Sequence, residues 1–334
     1  MHILYNHFAQ SSFTVKFLIF IGIELLCLCF VSLLTVFLSF IFSGISLTRV
    51  ALTAQDIILF ILPALCAAYL FGGNPVKYLQ ADRSPGIGAV IGIVLCMLFS
   101  IPMMNLIIEW NESIILPEAL SNIENWLKAQ EASAQEMTRH MLQMSNIGDL
   151  TIMILIVGVL TGIGEEFVFR GIVQRLFLEK FRNRHIAVWT TAIIFSAIHF
   201  QFYGFVPRML LGAFFGYLLV WSGNIWLPVT AHALNNSLSV IGAYIWGTDN
   251  NDSLFDAVGT SSGDAGWIVV STSITVNGKK TRKTSIYRTD SPKQPAHLNY
   301  FPSRWSNCFR WNIKLRPKYF SRTTGLEANS SEVP

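Results

Sequence analysis

The sequence predicts an all-α fold, a polytopic transmembrane helical bundle of about seven spans with a polar C-terminal tail. Of its 334 residues, 52% are hydrophobic and only 13% are charged, and the mean hydropathy is +0.47. Soluble domains contain about 25% charged residues. Apolar runs of about 20 residues, the length that crosses a bilayer, also recur along the chain. Both observations indicate an integral membrane protein whose first partner is the lipid bilayer.

The predicted spans follow one another up to about residue 247. The first is too long for the apolar part of a signal peptide, so we expect it to be a retained span. The second is short and contains Pro63. The predicted spans are residues 17–42, 57–72, 87–108, 150–174, 186–204, 206–222 and 226–247.

Composition divides the chain into three regions. Residues 1–149 are expected to form N-terminal transmembrane helices and an extracytoplasmic loop, and residues 150–247 a helical core. Residues 248–334 are rich in Gly, Ser, Thr and Asn and hold twelve of the 24 Lys and Arg residues. We predict a weakly ordered tail there, which contacts anionic lipid or only solvent, and no nucleic-acid partner.

The distribution of basic residues predicts the orientation in the membrane, because short cytoplasmic loops carry an excess of Lys and Arg. Lys16, Lys77 and Arg83 lie beside the first three predicted spans, and four further basic residues lie within 175–184. The 109–149 loop is acidic. We therefore predict a cytoplasmic N-terminus, an extracytoplasmic 109–149 loop and, with seven spans, an extracytoplasmic tail.

Three ionisable residues interrupt the apolar run "TGIGEEFVFRGIVQ", which begins at Thr161. A charge within a span is costly unless it faces protein or water, so these residues are functional candidates. Glu166 and Arg170 have the i, i+4 spacing of an ion pair. Glu165 points about 100° away around the helix and is predicted to remain the free carboxylate. The alternative is a buried polar cluster that only holds helices together.

Two later spans add polar residues to this set. His199 lies in "FSAIHF", while His232, Asn235 and Asn236 lie in "PVTAHALNNS". Either histidine alone could be a packing residue. With Glu165, however, they provide a base to activate water and donors to stabilise an oxyanion, as amide hydrolysis requires. Glu165, His199 and His232 could instead bind zinc.

These residues form three short motifs in order along successive spans. The motifs are Glu165-Glu166-x-x-x-Arg170, Phe195-x-x-x-His199 and His232-x-x-x-Asn236. This ordered set resembles the CPBP family of intramembrane proteases, which includes the type II CAAX prenyl endopeptidase and bacterial Abi-type proteins. The resemblance covers roughly residues 150–245 and implies an all-helical membrane core with a hydrophilic cavity.

The resemblance also implies a role for each candidate side chain. Four would act on the substrate and two would support them. The implied base is Glu165 with His199 as its partner, the oxyanion donors are His232 and Asn236, and the structural support is Glu166 with Arg170.

The cofactor is left open by this resemblance, since family members have been described both as metalloproteases and as metal-free glutamate enzymes. If zinc is bound, Glu165, His199 and His232 are its predicted ligands. We favour a metal-free site, because no HExxH pair places two ligands on one helix and Asn236 suits oxyanion donation better than metal ligation.

The predicted function is an intramembrane endopeptidase that hydrolyses a peptide bond in a membrane-associated protein or peptide. Its expected location is the cytoplasmic membrane of a bacterium. The alternative is a protein without catalytic activity, either a membrane scaffold or an immunity protein, or a proton-coupled transporter. A transporter would usually contain inverted repeats, and the sequence shows none.

Overall fold

The computed structural model of this protein describes residues 8–247, and the predicted tail therefore lies outside the described residues. The described part of the chain is helical and contains no strand, which confirms the all-α prediction. The main helices are α1 (Phe13–Leu38), α2 (Gly44–Gly72), α3 (Ile87–Glu112), α4 (Ser121–Met141), α5 (Ile147–Phe181), α6 (Arg184–Ala197), α7 (Phe205–Ser222) and α8 (Trp226–Trp246).

Five of the described helices, α1, α2, α3, α5 and α7, are long and apolar enough to cross a membrane. Helix α6 has 14 residues and measures about 21 Å, less than the roughly 30 Å hydrocarbon core of a bilayer. Helix α8 has 21 residues, but it carries His232 and two asparagines. The protein is an integral membrane protein, while the count of seven spans stays a prediction.

Helix α2 begins at Gly44, well before the predicted span at 57–72. Polar residues such as Arg49 lower the hydropathy of its first half. A π-helical stretch, Asp56–Ile61, follows and ends just before Pro63. Proline cannot donate to the helical ladder, and the wider π spacing lets the helix continue past it.

Helix α5 contains the glutamates and is unusual in its hydrogen bonding. It has 35 residues and measures about 52 Å, so it extends beyond a bilayer core. Two π-helical stretches, Ile154–Leu160 and Phe167–Val173, lie on either side of the α-helical turns at Thr161–Glu166. Where such a stretch returns to α-helical spacing, one carbonyl is left without a ladder partner.

Two ion pairs mark opposite ends of the bundle. Lys16 Nζ lies 2.9 Å from Glu179 Oε2 and joins the start of α1 to the end of α5. Arg49 Nη1 lies 2.7 Å from Asp149 Oδ1 and joins the start of α2 to the start of α5. Helices α1 and α5 therefore run in opposite directions. This agrees with the predicted orientation, which stays a prediction because the structure contains no membrane.

Glycines bring α5 into close contact with its neighbours. A Cβ at Gly162 would lie 3.1 Å from the backbone nitrogen of Ala233 on α8. A Cβ at Gly164 would lie 2.8 Å from Phe60 Cβ on α2. Small residues allow such close backbone approach between membrane helices, so these glycines position the glutamate-bearing turn between α2 and α8.

Candidate active site

The two adjacent glutamates occupy different environments. Glu166 is fully buried, and its Oε1 accepts a hydrogen bond of 2.7 Å from Arg170 Nη1. The ion pair predicted from their i, i+4 spacing is therefore present. Glu165 keeps 13% of its side chain exposed, and its carboxylate makes no such ion pair with an arginine or lysine within residues 8–247. The angular offset on the helix separates the two carboxylates as predicted.

Arg170 is held from several sides. Its Nη2 donates to the carbonyl of Gly212 on α7 over 2.9 Å. The guanidinium carbon lies 4.7 Å from the ring centroid of Phe195 and 5.5 Å from that of Phe215. Ion pairing and cation–π contact together offset the cost of burying the charge. Arg170 therefore fixes Glu166 and joins α5 to α6 and α7.

His232 on α8 lies between the two glutamates. Its Nδ1 is 2.8 Å from Glu166 Oε1, and its Nε2 is 3.7 Å from Glu165 Oε2. The ring stacks on Phe215, with centroids 5.1 Å apart. Because an ionised carboxylate only accepts hydrogen bonds, the bond to Glu166 requires a hydrogen on Nδ1 and directs Nε2 towards Glu165.

Hydropathy predicted that His199 lies within a span that extends to residue 204. In the structure it lies just after the end of α6. Helix α6 ends at Ala197, and Phe200 adopts a left-handed backbone with φ 54°. His199 Nδ1 is 2.7 Å from the carbonyl of Phe195. A carbonyl oxygen only accepts, so Nδ1 carries the hydrogen and Nε2 is left as an acceptor.

Asn111, at the end of α3, fixes the 198–204 loop that carries His199. Its Nδ2 donates to the carbonyls of Phe202 and Tyr203 over 3.1 and 2.6 Å, and its Oδ1 accepts from Val206 N over 3.1 Å. The side chain is almost fully buried. This role was not predictable from the sequence, because an asparagine at the end of a span is an ordinary capping residue.

Asn236 supports the π-helical part of α5. Its Nδ2 donates to the carbonyl of Val157 over 3.1 Å. The backbone N–H of Thr161 donates to the carbonyl of Ile156, five residues earlier. The next carbonyl along the chain, that of Val157, lies where the helix returns to four-residue hydrogen-bond spacing. The amide of Asn236 retains one further hydrogen for another acceptor.

Two charged residues near the site were missed by the sequence analysis. Asp56 on α2 is buried, accepts a 2.9 Å hydrogen bond from Thr161 Oγ1, and lies close enough to Glu165 for their charges to interact. Arg208 on α7 is near enough for its positive charge to act on Glu165 and on His199. Asp56 fell just outside the predicted span at 57–72, although an acidic residue at the edge of an apolar run was an available signal.

Zinc binding is the alternative predicted for Glu165, His199 and His232. Zinc needs its ligand atoms within about 2.0–2.2 Å of one point. In the part of the chain that the structure describes, no group of three His, Cys, Asp or Glu side chains converges in this way. The side chains of Glu165, His199 and His232 thus do not fit a zinc ion as they stand, and the choice between the two mechanisms stays a prediction.

The segment that contains this site is similar to a known family. Residues 147–238, which run from α5 into α8 and include all six candidate side chains, match the family described as Rce1-like, type II CAAX prenyl endopeptidase Rce1-like. Over 83 residues the chain is 31% identical to the uncharacterized protein YpbD of Bacillus subtilis (strain 168). The matched region covers 24% of this chain and 39% of that relative, so the chain spans well under half of the relative's length. No solved structure matches the chain.

Proposed function

Because residues 147–238 of this chain match the Rce1-like family of type II CAAX prenyl endopeptidases, we propose that the protein is an intramembrane endopeptidase. It hydrolyses a peptide bond in a membrane-associated protein or peptide, with water activated by glutamate and histidine. The proposed setting is the cytoplasmic membrane of a bacterium.

The surroundings of Glu165 are the main support for this proposal. Glu166 is neutralised by Arg170 at 2.7 Å and bound by His232 at 2.8 Å. Glu165 is partly exposed and 3.7 Å from the free side of the same imidazole. A carboxylate without a fixed ionic partner, beside a histidine in an enclosed site, is suited to proton transfer. A purely structural cluster would not need this second carboxylate.

The proposed reaction begins with a water molecule between Glu165 and His199. Glu165 takes one proton from the water as the water oxygen attacks the scissile carbonyl carbon. Nε2 of His199 accepts a hydrogen bond from the other O–H of the water and so orients it. The carbonyl oxygen becomes an oxyanion. Collapse of the intermediate breaks the C–N bond, and Glu165 passes its proton to the leaving nitrogen, which yields a carboxylic acid and an amine.

His232 and Asn236 are proposed to stabilise the oxyanion. The Asn236 amide has one hydrogen beyond its bond to Val157. Nε2 of His232 can donate only when the ring carries hydrogens on both nitrogens, because Nδ1 already binds Glu166. Glu166 and Arg170 hold this histidine in place and do not contact the reacting atoms. Removing one oxyanion donor costs roughly 100- to 1000-fold in kcat.

The test is hydrolysis by the purified full chain in proteoliposomes. The substrates are two internally quenched peptides, one farnesylated near its C-terminus and one with an apolar membrane-spanning segment, with products identified by mass spectrometry. We expect the wild type to cut at least one of them at a defined bond and Glu165→Gln to cut neither. Arg83→Gln is the control, since the Arg83 side chain is 81% exposed.

A wild-type protein that folds and cuts neither peptide would contradict the proposal. The same is true if Glu165→Gln retains wild-type activity. The first result would favour a scaffold or an immunity protein, which binds another membrane protein without cleaving it. Proton uptake into the same proteoliposomes in response to a gradient would favour a transporter.

A further inference from the structure

Arg208 has an unused guanidinium nitrogen in the first turn of α7. Its Nη2 donates to Gln201 Oε1 over 2.7 Å, whereas its Nη1 is buried and has no hydrogen-bond partner among residues 8–247. The guanidinium packs over Gly204, where a Cβ would lie 3.1 Å from Nη2. A buried donor attached to a full charge is costly to leave unpaired, so this position is suited to a ligand.

The two acidic residues whose charges act on Arg208, Glu131 and Glu165, do not pair with its Nη1 in residues 8–247. Gln201 stands between Arg208 and Glu131 of α4, because its Nε2 donates to Glu131 Oε1 over 3.2 Å. Glu165 lies within range of the Arg208 charge, but no direct ion pair joins the two side chains in residues 8–247. The glutamine thus holds the guanidinium in place, while Nη1 has no partner in the described part of the chain.

The backbone makes this position favourable for an anion. Helix α7 begins at Phe205, so Arg208 lies in its first turn, where the helix dipole is positive. A cation is disfavoured at this end of a helix, and a negative ligand is favoured by the dipole and the guanidinium together. The charge of Arg208 also acts on His199 and Glu165, the two residues proposed to activate water.

We propose that Arg208 binds a carboxylate of the peptide substrate and so determines which peptide bond lies over Glu165. This inference rests on the proposed function, because it assumes that the ligand is a peptide. The carboxylate is either the C-terminus of the substrate or an Asp or Glu side chain near the cut. Guanidinium groups bind carboxylates through two parallel N–H donors, which adds geometric selectivity to the charge.

The first experiment compares matched peptides in the proteoliposome assay. One farnesylated peptide carries a free C-terminal carboxylate and its pair a C-terminal carboxamide, and a second pair differs by Asp or Asn beside the cut. We expect the carboxylate form of one pair to have a KM lower by about 10- to 100-fold, as for a hydrogen bond to a charged group. Arg208→Gln should abolish that preference and Arg83→Gln should keep it.

A second experiment measures binding without cleavage. The inactive Glu165→Gln protein in nanodiscs is titrated against the same dye-labelled peptides by fluorescence anisotropy, with and without Arg208→Gln. Binding selectivity for a carboxylate without cleavage by the wild type would leave the anion site standing and overturn the proposed function. Cleavage without any carboxylate preference in either experiment would overturn the anion site alone.

Arg208→Lys gives a further measurement if Arg208→Gln does not fold. Lysine keeps the charge and loses the planar pair of donors. We expect an intermediate carboxylate preference in KM with kcat within about twofold of the wild type, a split that a merely structural arginine would not produce. A preference equal to that of the wild type in Arg208→Lys would contradict the proposed two-donor contact.

Discussion

His232 Nδ1 lies 2.8 Å from the carboxylate of Glu166, and the opposite nitrogen of the same ring lies 3.7 Å from Glu165. One imidazole thus lies between Glu166, which is ion-paired with Arg170, and Glu165, which is not. Adjacent residues of the same type can therefore be distinguished by substitution.

The first prediction concerns these glutamates. Glu165→Gln should abolish hydrolysis and leave the unfolding temperature in detergent close to that of the wild type, because this carboxylate has no ionic partner to lose. Glu166→Gln should destabilise the protein by about 3–5 kcal/mol, since Arg170 would remain as a buried unpaired charge. Circular dichroism during heating, with the peptide assay, checks both.

The double variant Glu166→Gln with Arg170→Met is the control for the ion pair. Replacing both partners removes the unpaired charge, so it should recover part of the stability lost in the single variant. Equal stability and equal residual activity of the two single glutamine variants would contradict the separation of roles.

Part of this site could be predicted from the sequence. The Glu166–Arg170 pair follows from helical spacing, which depends only on local geometry. The position of His199 does not follow, because α6 ends through the left-handed backbone of Phe200 and a long-range contact with Asn111. Hydropathy contains no information about either feature.

The π-helical stretches were not predictable for a related reason. A change from four-residue to five-residue spacing leaves no regular pattern in apolar residues. Asn236 stabilises such a stretch by binding Val157 O from another helix, and this contact exists only in the folded bundle. Asp56 was missed because it lies at the edge of an apolar run, where a loop was predicted.

The second prediction compares Asn236 with its neighbour Asn235. Asn236→Ala leaves the Val157 carbonyl without its donor and should cost about 1–3 kcal/mol of stability. It should also lower kcat, because an oxyanion donor is lost. Within residues 8–247 the Asn235 side-chain amide hydrogen-bonds only to Asn236, at 3.5 Å, so Asn235→Ala should change both quantities much less. Larger effects from Asn235→Ala in thermal unfolding and kinetics would contradict this assignment.

The third prediction tests the close contact of α5 with α8. A methyl group at Gly162 meets the backbone of Ala233 at 3.1 Å, so Gly162→Ala should destabilise the protein by about 1–3 kcal/mol through overpacking. Gly92 on α3 has no atom within 4 Å of such a methyl group and is the matched control. Gly92→Ala should be neutral or stabilising by up to about 1 kcal/mol. An equal loss in both variants would show that this contact is not the cause.

The fourth prediction concerns orientation. In a variant without native cysteines, a cysteine at Lys128 in α4 should react with a membrane-impermeant thiol reagent added to intact cells. A cysteine at Arg182, between α5 and α6, should react only after the cells are opened. Labelling in the reverse order would show that the orientation is opposite to the predicted one, and the description of the site would stay the same.

The fifth prediction concerns the metal. Prolonged chelation of the purified protein should leave peptide cleavage within about twofold, and elemental analysis should find less than stoichiometric zinc, as a glutamate mechanism requires. Stoichiometric zinc, with activity lost on chelation and restored by zinc, would establish the zinc alternative. The ligands to test would then be Glu165, His199 and His232.

The hydrogen bonds of Asn111 limit how far this protein can be shortened. Asn111 belongs to α3, outside the segment that matches the family, yet it binds two backbone carbonyls of the loop of His199 and one backbone nitrogen of α7. A fragment beginning at residue 147 would contain all the proposed catalytic side chains and lack this anchor. Coexpression with a separate fragment of residues 1–120 could restore it. The matched segment thus contains the candidate side chains, but the alignment of His199 among them depends on a residue outside that segment.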